Sequence, residues 1–354
     1  MNPAARTALG ALLALVLVLA ALLALVMIGY ARRRGLLDAP GQRRLHRLPT
    51  PRGGGAGVVA ALLVGLPLLP AAGVAVPARW LLTWWPALLL TALLGARDDH
   101  GGLGIAPRLL GHLLAAGLVT AGLWPLLVAA WGPVLALAML PLLVLAIAWS
   151  VNLHNFMDGS DGLLAMQVLV VALGMALLAA RAHAGVPETL ALLLAAAVAG
   201  FLPFNLPLPR ARIFLGDVGS ATLGLMVAAL ALAGAARAAW TLPAALLLVS
   251  AFAVDATATL LSRMLRGRRW WQPHREHLYQ WLARAGRTHA LPLLVYASWN
   301  VLLALPLALL AQRRPALGWW MASALYMLAG ALWWLGKRAC RRAPRRRRNR
   351  HAPA

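Results

Sequence analysis

Eleven apolar runs, most of them long enough to cross a bilayer, follow one another along the chain from Ala8–Tyr30 to Ala316–Gly336. A helix needs about 20 mostly apolar residues to traverse the hydrocarbon core. Lipid offers no partner to a backbone N–H or C=O, so each run must close its own hydrogen bonds. The pattern dictates an all-α polytopic membrane protein with about 11 transmembrane helices. Composition agrees, with 62% hydrophobic and 12% charged residues, against about 25% charged in soluble domains. The one cysteine, Cys340, excludes an internal disulfide and a cysteine-based metal cluster. Pro125 and Pro133 bracket an expected turn near Trp131.

A net charge of +24 would point to nucleic acid in a soluble protein. Here the basic residues fall between apolar runs, where they set orientation. With the N-terminus outside, 27 of the 33 Lys and Arg lie inside, in segments 32–52, 97–108, 210–212 and 263–287 and from Lys337 onward. The expectation is an outside N-terminus, a cytoplasmic C-terminus and no nucleic-acid partner. Residues 1–336 then form one integral-membrane domain, and 337–354 a basic, disordered cytoplasmic tail beside anionic lipid. Arg32, Arg33 and Arg34 after the first run suit a retained anchor better than a cleaved leader. Trp80, Trp84, Trp124, Trp240, Trp319 and Trp334 are expected to form interfacial belts.

The chain has only nine acidic residues. In this topology Asp38, Asp98, Asp99, Asp158, Asp161, Asp217, Asp255 and Glu276 gather toward the inner side, and only Glu188 is outside. Carboxylates near membrane depth are costly and mark functional sites. Asp98 and Asp99 are adjacent and repel unless a cation or proton separates them; they could bind Mg²⁺, or one could act as a base. Asn155, Asp158 and Asp161 recur every three residues in NLHNFMDGSDGL. Their hard oxygens suit Mg²⁺ or the polar groups of a sugar or base. Asp217 sits between glycines before a span, in ARIFLGDVGS, as a metal or phosphate loop or a plain helix cap. HREHLYQ opens an expected interfacial helix with Leu278, Trp281 and Leu282 on one face, presenting Arg275 and His277 to a phosphate. HRLPTPRGGG, from His46, carries Arg52 into a Pro- and Gly-defined turn.

Taken together and in order, HRLPTPRGGG, DDHGGLGIAPR, NLHNFMDGSDGL, ARIFLGDVGS and HREHLYQ resemble the polyprenyl-phosphate N-acetylhexosamine-1-phosphate transferase superfamily, glycosyltransferase family 4. They span residues 38 to 280. Eleven spans and an outside N-terminus look like its undecaprenyl-phosphate GlcNAc-1-phosphate branch. The resemblance implies a bacterial inner-membrane enzyme. It would move an N-acetylhexosamine-1-phosphate from a UDP-sugar to undecaprenyl phosphate at the cytoplasmic face, with Mg²⁺ as cofactor, and release UMP. Membrane lipid is the surrounding partner, and the resemblance leaves room for a homodimer.

Motif matching carries Asp98 and Asp99 onto the family's paired aspartates near the lipid phosphate. It carries Asn155, Asp158 and Asp161 onto its nucleotide- and metal-proximal motif, Asp217 onto its Mg²⁺ aspartate and His277 onto the first histidine of its His-rich loop. The expected roles are then catalysis by Asp98, Asp99, Asp158, Asp161 and His277. Substrate binding falls to His46, Arg52, Asn155, Arg212 and Arg275, and metal binding to Asp217, Asn155 and Asp158. Tyr279 and Gln280 stand where the loop usually has further histidines. The form HREHLYQ resembles the modified-sugar, O-antigen branch and differs from the phospho-MurNAc-pentapeptide transferases, the alternative within the family. A transporter, the alternative from another class, would place its carboxylates at the midplane of paired halves.

Overall fold

The computed structural model describes residues 2–38, 49–269, 271–272 and 274–342. His46 and the Arg345–Arg350 stretch of the tail lie outside the described residues. The helices are α1 (Pro3–Arg34), α2 (Gly55–Leu68), α3 (Ala78–Gly101), α4 (Ile105–Trp131), α5 (Pro133–Met157), α6 (Leu163–Arg181), α7 (Gly185–Asn205), α8 (Gly216–Ala236), α9 (Leu242–Met264), α10 (Leu278–Gly286), α11 (Ala290–Trp299), α12 (Leu305–Arg313) and α13 (Pro315–Arg342). Two-residue strands β1 (Leu37–Asp38) and β2 (Thr50–Pro51) pair antiparallel, with Asp38 opposite Thr50.

Nine segments among the described residues are helical, long and apolar enough to cross a membrane. They are α1, α4 to α9, the rod Ala290–Arg313 and α13. The other two expected spans are helical but fall short. Helix α2 has only 14 residues, and α3 ends in the polar string Arg97–Gly101. The run from Ala290 divides into α11, a π-helical stretch Asn300–Ala304 and α12. Pro306 follows that stretch and has no N–H to give the preceding turn. The expected break near Trp131 is there: α4 runs through Pro125 to Trp131, Gly132 takes a positive φ of 78°, and Pro133 opens α5.

Helix α8 lies at the centre, packed on α2, α3, α4 and α5, with most of its residues buried. Glycines make that packing close. A side-chain carbon on Gly55 would strike the backbone of Gly219, and one on Gly95 would strike the backbone of Val218. Small residues at such crossings let membrane helices gain dispersion contact without a hydrophobic drive. On the outside of the bundle, Leu302, Trp320 and Met327 are exposed, as a lipid-facing surface requires.

Two expectations change. Trp80, Trp84 and Trp240 are buried within the bundle, Trp80 and Trp84 stacked at 4.9 Å, so they are core and not belt; Trp319 and Trp334 are exposed. The helix also runs past residue 336. Helix α13 continues to Arg342, with Lys337 buried and its Nζ 4.2 Å from the centre of the Trp333 ring. Trp rings on the same face make such continuation favourable by cation–π contact.

Gly95→Ala is expected to destabilise the fold by about 1–3 kcal/mol, the usual cost of overpacking, because the new carbon meets backbone that cannot rotate away. Thermal unfolding of purified protein in detergent measures this; Gly117→Ala, with nothing within 4 Å of the added carbon, serves as the neutral control.

Candidate active site

The described parts of the connections, 35–38, 49–54, 158–162, 206–215 and 274–289, come together at one end of the bundle. The PTPRGGG turn is hydrogen-bonded to the ARIFLG segment like a short strand. Phe214 N donates to Pro51 O (2.8 Å), Gly54 N to Phe214 O (2.9 Å) and Gly55 N to Leu215 O (2.8 Å). Asn205 ties the same segment to the Asp158 loop, donating to Ile213 O and accepting from Gly162 N.

These connections enclose a cavity of about 270 Å³. It is lined by the acidic residues Asp38, Asp99, Asp158, Asp161 and Asp217 and by the basic residues Arg52, Arg275, Arg284 and His289, and the two sets interleave: Arg52 donates to the Asp99 carbonyl and His289 faces Asp161. Six expected site residues therefore line one space: Arg52, Asp99, Asp158, Asp161, Asp217 and Arg275.

Asp98 and Asp99, adjacent in sequence, are pulled apart. The Asp99 carboxylate turns inward and caps α8, accepting from Asp217 N and Val218 N at 3.2 Å each. Arg52 donates to its backbone carbonyl. A carboxylate at a helix N-terminus gains from orphan N–H groups and the helix dipole. Asp98 turns toward Arg108 (2.9 Å) and Leu103 N (2.6 Å), and its carboxyl also contacts that of Asp217. Asp98 does not line the cavity but borders it.

Asn155 supports Asp217 from behind, with its Nδ2 donating to Asp217 Oδ1 (2.7 Å) and Ser220 Oγ (3.1 Å). Asp161 accepts from Ala211 N (3.1 Å) and faces His289 Nδ1 at 3.3 Å. Burial, followed by the charges of Asp217 and Asp99, pushes the Asp158 carboxyl well above the usual carboxylate range.

Two expected residues lie elsewhere. Arg212 is exposed, its guanidinium 5.4 Å from the Phe204 ring centre. His277 is buried behind the cavity, stacked on His274 and Tyr279, with Nδ1 3.8 Å from Asp255. Burial lowers its pKa, and it does not line the cavity. Arg284, His289 and Gln280 also line the cavity. Gln280 and Arg284 are one helical turn apart on α10, so i, i+4 spacing was the signal for their shared face. No sequence signal marks His289, which reaches the site from the start of α11.

Among the described residues, no three His, Cys, Asp or Glu side chains form a ready-made metal site. The residues nevertheless fit a hard divalent cation. Asp98 and Asp217 touch through their carboxyls, and Asp158 and Asp99 add charge at the same place. Such crowding requires a proton or a cation. Mg²⁺ uses one or two carboxylates and completes its shell with phosphate oxygens and water.

The sequence matches the family model "Glycosyl transferase family 4" over residues 81–235. The decaprenyl-phosphate N-acetylglucosaminephosphotransferase of Mycobacterium tuberculosis is 34% identical over 307 residues, covering 76% of this chain and 74% of that protein. The chain belongs to this family. It is a polyprenyl-phosphate sugar-1-phosphate transferase and a multi-pass membrane protein, of a class that depends on a divalent metal. The enzyme of the same name from Mycolicibacterium smegmatis is 33% identical, covering 81% of this chain and 79% of its own. A probable undecaprenyl-phosphate N-acetylglucosaminyl 1-phosphate transferase from Bacillus subtilis is 28% identical over 74% of this chain and 73% of its own. The transporter reading falls with the family assignment.

Asp99→Asn puts an amide N–H₂ against one of the two backbone donors. Activity is expected to fall at least 100-fold, and stability by about 1 kcal/mol, the usual worth of a lost cap. UMP release and thermal unfolding of the same preparation measure both.

Proposed function

We propose that this enzyme transfers an N-acetylhexosamine-1-phosphate from a UDP-sugar to undecaprenyl phosphate at the cytoplasmic face of the bacterial inner membrane. UMP leaves, and the product starts a lipid-linked cell-envelope glycan such as O-antigen. The observation that carries this reading is a cavity lined both by the carboxylates of Asp99, Asp158, Asp161 and Asp217 and by Arg52, Arg275 and Arg284. A diphosphate needs both: cations for its oxygens, and acidic ligands for the metal that accompanies it.

An oxygen of the lipid phosphate attacks the β-phosphorus, the bond to the bridging oxygen breaks, and the electron pair leaves with UMP. Asp217 and Asp158 would hold Mg²⁺, which neutralises diphosphate charge when bound. Asn155 keeps Asp217 in place from behind. Arg52, Arg275 and Arg284 bind and orient the diphosphate. A phosphate monoester has its second pKa near about 6, so the acceptor is mostly a dianion at neutral pH. Asp98 and Asp99 therefore orient the acceptor side and do not need to remove a proton. Asp98 and Arg108 sit beside the exposed apolar face of α4 at Ile105 and Leu110, which suits a phosphate arriving from the bilayer on a hydrocarbon chain.

The names of the relatives favour N-acetylglucosamine as the sugar, while HREHLYQ leaves a modified N-acetylhexosamine as the second candidate. A phospho-MurNAc-pentapeptide donor has less support. The transferase of that name from Moorella thermoacetica matches only 55% of this chain, and Tyr279 and Gln280 replace histidines of that loop.

In purified protein with undecaprenyl phosphate and Mg²⁺, UMP release is expected with UDP-N-acetylglucosamine or one modified relative. It should stop when lipid is omitted or EDTA is added. Release without lipid, or with UDP-MurNAc-pentapeptide alone, overturns the reading. Asp217→Asn should lower turnover at least 1000-fold while the protein still unfolds cooperatively; full activity in this variant would refute the metal assignment.

A further inference from the structure

Asp255 is a buried acidic residue that the reaction does not use. It lies within α9, is 3% exposed, and does not line the catalytic cavity. Its carboxylate accepts five hydrogen bonds. Leu278 N (2.8 Å), Trp333 Nε1 (3.0 Å) and Thr259 Oγ1 (3.2 Å) donate to Oδ1. Tyr296 Oη (2.6 Å) and Tyr279 N (3.2 Å) donate to Oδ2. Four of these donors come from other elements: two from the first turn of α10, one from α11 and one from α13. A carboxylate has about four lone-pair directions, so the group is saturated. It is a cap supplied to α10 from another helix.

Helix α10 brings Gln280 and Arg284 to the cavity. Its first residue pair is fixed by Asp255, and the contacts continue inward. Tyr279 Oη donates to Phe156 O (3.1 Å), at the start of the Asp158 loop. Gly159 in that loop is packed so closely on the Tyr279 ring that a side-chain carbon there would strike it. Gln280 Nε2 donates to Tyr279 Oη (3.2 Å), and Arg284 Nη2 donates to Arg275 O (2.8 Å). Gln280, Arg284 and Arg275 all line the cavity. The rod Ala290–Arg313 and α13, which share the carboxylate with α10, are peripheral and mostly unburied. Arg341 of α13 adds a cation–π contact to Trp281 of α10, 5.4 Å from the ring centre.

We propose that Asp255 is a positioning residue for the transferase reaction. It holds the N-terminus of α10 so that Gln280, Arg284 and the Asp158 loop keep one arrangement around the donor diphosphate. The inference rests on the reading of the cavity as a sugar-nucleotide site. An acceptor entering beside Asp98 meets Arg108 and Leu103, to which Asp98 is bonded, and not the α10 groups held by Asp255, so donor and acceptor respond differently.

The test is steady-state kinetics of the full-length protein in detergent, with donor and lipid varied separately. Asp255→Asn replaces one acceptor oxygen by a donor facing other donors. It is expected to raise the KM for the sugar nucleotide at least 10-fold and to leave the KM for undecaprenyl phosphate within twofold. Arg284→Ala alone should also raise the donor KM, but added to Asp255→Asn it should raise it by less than threefold more, because residues acting as one unit are not additive. Gln167→Leu, which breaks the buried Gln167–Asn300 pair, should lower the melting temperature without moving the donor KM. A folded Asp255→Asn protein with an unchanged donor KM overturns the proposal. So does a fall in kcat alone, or a full multiplicative effect of Arg284→Ala. If Asp255→Asn does not fold, Tyr296→Phe and Trp333→Phe each remove one donor and leave an aromatic ring in place. Each should then raise the donor KM about threefold, and no change in either overturns the proposal. A wild-type protein inactive with every UDP-sugar fails the underlying reading; an active wild type with insensitive variants fails this one alone.

Discussion

The Asp99 carboxylate at the N-terminus of α8 is the contact on which the site depends. Helix α8 begins in the middle of the cavity floor, and its first N–H groups have no partner within the helix. Asp99 supplies that partner from α3. The two helices can come that close only because Gly95, one turn before Asp99, meets the Val218 backbone without a side chain. Gly55 does the same for α2 against Gly219. With those crossings in place, Asp217 is held at the head of α8, Asp98 is turned outward to Arg108, and Arg52 is drawn to the Asp99 carbonyl. Packing of small residues and placement of charge are thus one event.

The result is a cavity lined by carboxylates and cations together. Asp99, Asp158, Asp161 and Asp217 come from α3, α8 and the Asp158 loop, and burial pushes the Asp158 carboxyl upward. Arg52 and Arg284, from the PTPRGGG turn and α10, line the same space. Another carboxylate, Asp255, lies outside that cavity and has the opposite character: its hydrogen-bonding capacity is taken up by protein donors. Two buried aspartate environments thus occur in one chain, one at the cavity and one among backbone and side-chain donors.

Much of this was legible in the residues. Nine of the eleven apolar runs are helices long and apolar enough to span among the described residues, the other two are helical but fall short, and the described parts of the five polar strings come together. Asp99, Asp158, Asp161, Asp217, Arg52 and Arg275 do share one cavity. Legibility failed where the direction of a side chain mattered. His277 stands in the motif that resembles a catalytic loop, yet α10 turns it away from the cavity and brings Gln280 and Arg284 in. Arg212, five residues before Asp217, points outward to Phe204. His289 reaches the cavity only because the start of α11 folds back beside the Asp158 loop. Trp80, Trp84 and Trp240 look interfacial from their position, but neighbouring helices cover them.

The sequence by itself determined the membrane-spanning class, because long apolar runs have no other way to satisfy their backbone in lipid. It also determined the family and the reaction type, because five motifs in order carry the necessary chemistry. Tertiary structure alone decided which carboxylate faces substrate and which supports a helix. Spacing along one chain says which residues share a helix face, but the sides of this cavity come from seven separate segments. Their relative rotation is set by helix crossings, and those depend on glycines and buried side chains far from the reacting atoms.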